Sequence, residues 1–312
     1  MRNGRTLVLV EKSGHCIAFH DLERAGVTER IHLASYPHEM VADREGRFAF
    51  VGHYGVQKGT DAGVGGHEVF VIDIARRRLV NTLDCRPYTR IHGLAVDEAG
   101  RLYALSEAAD VLLVFDNPCE DRLPSRGAAT GGLKSHLLSV TRDGGIAYVT
   151  NLLTHTVTRI APRDPTIAPR ALLPGVQPEG NCLGSDETVL FVANRGSNTI
   201  ARIDVRDFVV DSTAPVLADP TRIYCVGSDR LLVTHFRDQA VSLLDRASLR
   251  EIAHLRLEGR PAAACVDPGR GSVHVSLDSN ESLEIDLETM RIVARRLTGA
   301  EPDACFISGS PA

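Results

Sequence analysis

The chain has 312 residues, 24% of them charged, and a formal net charge of −5 with both signs interspersed. That balance excludes the basic face needed for nucleic acid and offers nothing to an anionic membrane surface. No apolar run approaches the roughly 18 residues of a spanning helix, and the stretch at 7–10 is cut off by Glu11 and Lys12 before it could serve as a signal-peptide core. The seven cysteines form no CxxC pair, and an odd number fits reduced thiols. A cytoplasmic protein is expected.

In chain order, three β-type runs come first: RTLVLVE from Arg5, HCIAFHDL from His15 and ERIHLA from Glu29. A repeating unit follows, in which an apolar run, a turn signal such as DREGR, DEAGR or RDGG and a second apolar run recur. The units begin PHEMVADREGR at Pro37, IHGLAVDEAGR at Ile91, SHLLSVTRDGG at Ser135, PEGNCLGSDET at Pro178, TRIYCVGSDR at Thr221 and PAAACVDPGRG at Pro261. A last fragment, PDACFIS, begins at Pro302. After the first interval the spacing averages about 42 residues, the length of a four-stranded propeller blade. The long first interval is accounted for by the glycine-rich insertion from Tyr54 to His67, joining the second and third strands of its blade. PDACFIS reads as an inner strand with no blade after it, and the three N-terminal runs as a blade with no inner strand. Pairing them closes one all-β domain, 1–312, as a seven-bladed β-propeller without exposed edges.

The runs AYVTNLLTHTVTRI from Ala147 and LFVANRGSNTIARIDV from Leu190 resemble the YVTN repeat of seven-bladed YncE-like and lactonase-like propellers, a resemblance that extends over essentially the whole chain. It implies the fold. The superfamily spans lactonases, lyases, binding proteins and surface-layer modules, so the resemblance implies no single activity. In outline the chain is also similar to the virginiamycin B lyase type of propeller, a metal-dependent lyase.

The inner strand of each blade lines the central channel, so one repeat position makes a ring around the axis. That position reads His38, His92, His136, Glu179, Arg222, Ala262 and Asp303 in blades 2 to 7 and 1. Three neutral imidazoles and a carboxylate suit a divalent transition metal such as Fe, Mn, Cu or Zn, and His38, His92, His136 and Glu179 are the expected ligands. Ala262 leaves space opposite, as a catalytic metal requires. Channel histidines that merely bond water or carbonyls are the competing expectation.

At the end of each second strand, on the same face, stand His53, Glu107, Asn151, Asn194 and His235. His53, Glu107 and His235 are expected to orient the ring imidazoles or act as acid or base. Arg222 is expected either to hold a substrate anion or to pair with Asp303 or Glu179. Glu39 should point into its blade. The insertion at 54–67 lies on the ring face, where a lid would sit. Channel-side Cys182, Cys225, Cys265 and Cys305 read as small apolar packing. The expected function is a metal-dependent enzyme acting on a small molecule at the channel mouth, leaning to an oxidoreductase. A cation-dependent lyase or lactonase and a non-enzymatic binding scaffold are the alternatives.

Overall fold

The protein was described from a computed structural model covering residues 5–24 and 26–309; residues 1–4, 25 and 310–312 of the expected 1–312 span lie outside the described residues. Within the described residues 28 strands form seven four-stranded antiparallel sheets. Strand β1 (Thr6–Glu11) pairs with β28 (Pro302–Ser308), so the last strand completes the first blade and the ring is closed, as expected. The other six inner strands are β4 (Pro37–Ala42), β8 (Ile91–Val96), β12 (Ser135–Val140), β16 (Pro178–Leu183), β20 (Pro220–Val226) and β24 (Pro261–Asp267). Strand β11 (Arg126–Ala129) is the outer strand of blade 3.

Alternation along each strand sends apolar side chains to both sheet faces, so the core lies between blades. Phe19, Val51, Phe70 and Ile72 fill the seam between blades 1 and 2. Leu232, Val241, Val275 and Ile285 fill that between blades 6 and 7. The seam between blades 7 and 1 differs. Its apolar cluster is Leu7, Leu9, Leu22 and Cys305, and buried His20, His274, Ser276, Ser282 and Glu284 share the space. Arg296 there pairs with Glu284 at 3.1 Å.

Two backbone features aim side chains at the axis. In six blades the residue before the inner strand has positive φ: Tyr36, Arg90, Lys134, Gln177, Asp219 and Glu301, at 53–59°. None is glycine, so the left-handed conformation is held by its surroundings. The ladder between inner and second strands then shifts register, as between Pro37 and Met40 or Pro261 and Ala263. Such a bulge leaves the extra residue unpaired and re-aims its side chain, and that residue is the one at the ring position.

Candidate functional site

The second residue of each inner strand forms the first ring: His38, His92, His136, Glu179, Thr221, Ala262 and Asp303, all at the wall of one pocket of about 480 Å³. The strand starts thus put Thr221, not Arg222, at this position in blade 6. A second ring lies outside it. Pro37 pairs with His53, Ile91 with Ser106, Pro178 with Asn194 and Pro220 with His235. The residue after each of these partners turns to the opposite side. Tyr54, Glu107, Arg195 and Phe236 therefore reach the mouth, with Lys12, Leu152 and Asp278 from the remaining blades.

The three imidazoles stack in sequence, with ring centroids 4.5 Å apart for His38–His92 and 3.9 Å for His92–His136. Each turns Nδ1 to an acceptor. His92 Nδ1 is 3.0 Å from the His136 carbonyl and His136 Nδ1 2.6 Å from Glu107 Oε2. His38 Nδ1 lies 2.8 Å from Asp303 Oδ2, a short ion-pair contact without hydrogen-bond alignment. A carbonyl or carboxylate only accepts, so the tautomer that fits these contacts has the hydrogen on Nδ1 and the lone pair on Nε2. Burial, and then the neighbouring His136, His38, Arg222 and Lys12, push the His92 pKa well below its ordinary value, so it stays neutral. Donor atoms of His38, Glu39 and His92 lie within 4.8 Å of one another, and so do those of His92, Glu107 and His136.

Glu179 belongs to neither cluster. It lies 3.8 Å from His136 Nε2, but its carboxylate is held by Arg195 and by Arg222, the latter at 3.5 Å. Arg195 also pairs with Asp219 at 2.8 Å. Arg222 reaches across the axis to Glu39 at 2.5 Å. Arg222 lines both the mouth pocket and a cavity of about 610 Å³ in the other half of the channel, where Glu39, Cys182, Cys225 and Cys305 sit. The Arg222–Glu39 bridge is therefore the floor of the mouth. Its guanidinium is committed to these carboxylates, the pairing form of its two expected roles, with Glu39 in place of Asp303.

Burial opposes ionisation of Glu107, yet the hydrogen bonds from His136 and Tyr54 (2.6 Å) bring its pKa down to about 2. Asp303 is also lowered, against burial, by His38 and then Lys12 and Arg222. The 54–67 loop rests on this edge. A Cβ at Gly59 would lie 3.1 Å from the Tyr54 hydroxyl. The loop is tied down, because Arg90 donates to the carbonyls of Gly59, Asp61 and Gly63 at 2.8–3.0 Å.

Three expectations are corrected. Glu39 points to the axis, because the bulge leaves both His38 and Glu39 opposite Gly52. His53 turns away from the pocket towards Glu68 Oε2, 3.1 Å from its Nδ1. His235 turns into blade 6, donating from Nδ1 to the Leu217 carbonyl at 3.0 Å and accepting from Ser242 Oγ at 2.7 Å. The reason is register: the paired residue faces inward, and the one after it reaches the mouth. Lys12, Arg195 and Tyr54 were within reach of the same alignment moved by one place.

His235 gives a pH prediction. Burial brings its pKa from 6.5 to about 4, and its bonding suits only the neutral ring. Its stabilisation is complete above pH 6.5 and is lost as pH falls from 6.5 towards 4, because the unfolded chain takes the proton first. Between pH 7 and 4.5 the His235→Gln variant should lose about 2–3 kcal/mol less urea-unfolding free energy than the parent. Equal losses would rule this out.

No family model and no curated protein sequence matches the chain. Solved structures do. The periplasmic gluconolactonase of Pseudomonas aeruginosa is 14% identical, with 98% of this chain and 100% of that one aligned at a TM-score of 0.77. A putative 6-phosphogluconolactonase of Bacteroides fragilis is 14% identical over 98% of each chain, at 0.76. A dihydro-heme d1 dehydrogenase is 14% identical over 94% of this chain and 63% of its own, at 0.68. At such identities what is shared is the architecture: the chain is a seven-bladed β-propeller with lactonase propellers among its structural neighbours.

Proposed function

We propose that the protein is a metal-dependent enzyme acting on a small molecule in the mouth pocket, and that it belongs with the YVTN-type propellers. His38, His92 and His136 hold a divalent transition metal. One observation carries this reading: all three imidazoles turn Nδ1 to an acceptor, which leaves Nε2 as the atom for a metal, as in metal-binding histidines, with Lys12 Nζ 3.4 Å from that of His38. The Oδ1 of Asp303 is buried without a hydrogen-bond partner, a state that a site awaiting a ligand explains. Glu39 or Glu107 is better placed than Glu179 to add a carboxylate, since each shares a donor cluster with the imidazoles and Glu179 shares none. A bound metal would polarise a substrate oxygen or exchange an electron with it. The chain's own part is to fix the imidazoles through Glu107 and Asp303, to hold a Tyr54 hydroxyl at the pocket wall and to floor the pocket with Arg222.

Three imidazoles with a carboxylate suit iron, manganese or copper, and favour an oxidoreductase. The likeness to two lactonase propellers supports a second reading, cation-assisted opening of a lactone or an elimination. Elemental analysis of protein purified without added metal tests the proposal. About one equivalent of Fe, Mn or Cu supports the first reading and zinc or magnesium the second; protein that neither retains nor takes up a transition metal refutes the first, and protein that takes up no divalent cation at all refutes both. Glu107→Gln removes the charge behind His136 and should weaken metal binding about 10–100-fold, as read by competition with a chromogenic chelator.

A further inference from the structure

At the mouth the cations and the carboxylates are not matched pair for pair. Every carboxylate there is engaged. Glu107 accepts from Tyr54 and His136, and Glu179 faces Arg195 and Arg222. Asp303 faces His38, Asp278 accepts from the Arg260 backbone N–H at 2.7 Å, and Glu301 accepts from Gln57 at 3.0 Å. Four cations of the same wall are not held in this way. Among the described residues Lys12, Lys58, Lys134 and Arg260 make no ion pair with any carboxylate. Lys12 Nζ lies 3.4 Å from His38 Nε2. Arg260 is held over the Phe236 ring, 5.4 Å from its centroid.

These cations ring a hollow that is partly apolar. Leu152, Phe236 and Ala262 supply its carbon surface. Ala262 places only a methyl in the blade 7 sector, beside Arg260 at the start of the same strand. A pocket of about 480 Å³ with an apolar wall and unpaired cations at the rim fits a small organic molecule bearing a negative group.

We propose that the mouth pocket takes an anionic small molecule, a carboxylate or a phosphate ester, with its negative group held by Arg260 and Lys12 over Ala262 and Lys134 facing it across the opening. This rests on the mouth being the working pocket, but not on the metal. Anion binding is therefore measured on chelator-treated protein, so that either idea can fail without the other. The probes are malonate for the carboxylate class and inorganic phosphate for the phosphate class, with neutral erythritol as control, followed by calorimetry at low ionic strength. At least one anion should bind at millimolar concentration, and which one does assigns the class. Arg260→Met and Lys134→Met should each weaken it about five- to ten-fold, while Arg24→Met on the outside of blade 1 leaves it unchanged. Both variants should retain the parent's melting temperature within a few degrees, since neither side chain is buried in an ion pair. Failure of both anions to bind, equal binding of erythritol, or affinity unchanged in both variants would overturn the proposal.

Discussion

Replacing His92 by alanine is expected to abolish stoichiometric metal binding while leaving the propeller folded. His92 is the member shared by both donor clusters, and its ring lies between those of His38 and His136. Its loss leaves two imidazoles on opposite sides of a gap. Disturbing a group that merely orients a ligand costs about 10–100-fold in affinity, so losing the central ligand should exceed that. The retained metal should then fall from about one equivalent to under a tenth after dialysis against a weak chelator. The fold should tolerate the change, because the imidazole borders the pocket and water can fill its place. Unchanged near-ultraviolet circular dichroism with full retention of metal would show that the metal, if any, sits elsewhere.

Arg222→Met should be the most destabilising single change at the site. The guanidinium is 8% exposed and lies between Glu39 and Glu179. Despite burial, those carboxylates raise its pKa further, so it is charged at any ordinary pH. Removing one partner of a buried ion group strands the others, at a cost of about 3–5 kcal/mol. For a chain of this size that corresponds to a fall in Tm of about 5–8 °C. Adding Glu39→Gln to Arg222→Met should recover part of the loss, because the stranded charge is gone. A double variant less stable than the single one would mean that Arg222 acts through packing alone.

The fold was legible because each blade repeats one strand–turn–strand pattern, and because the two incomplete ends complement each other. The first ring was legible for the same reason in blades 2 to 5. Arg222 was placed one residue early, since β20 begins at Pro220 and not at Thr221. The second ring was displaced by one in most blades. His53 and His235 pair directly with the inner strand, and a shift of one residue exchanges the two faces of a strand. Glu107 was found because it lies one beyond Ser106, the residue that does pair. Glu39 escaped because a bulge suspends the alternation on which the expectation relied. The ion pairs joining blades 2, 5 and 6 across the axis connect residues up to 183 positions apart, and no local pattern encodes that distance.

The pairing of β28 with β1 sets a timetable for synthesis. Strand β1 ends at Glu11 and its partner begins at Pro302, so a ribosome working at about 5–20 residues per second leaves β1 without its neighbour for about 15–60 s. Through that interval one side of the nascent blade 1 awaits blade 7. A row of valines and isoleucines there would invite other chains. The face that waits instead carries His20 and Glu11 among its leucines, and the face it will meet carries His274, Ser276, Ser282 and Glu284. The polar seam can therefore be understood as protection for a growing chain, kept at the one joint that no blade can close until the last strand has been made.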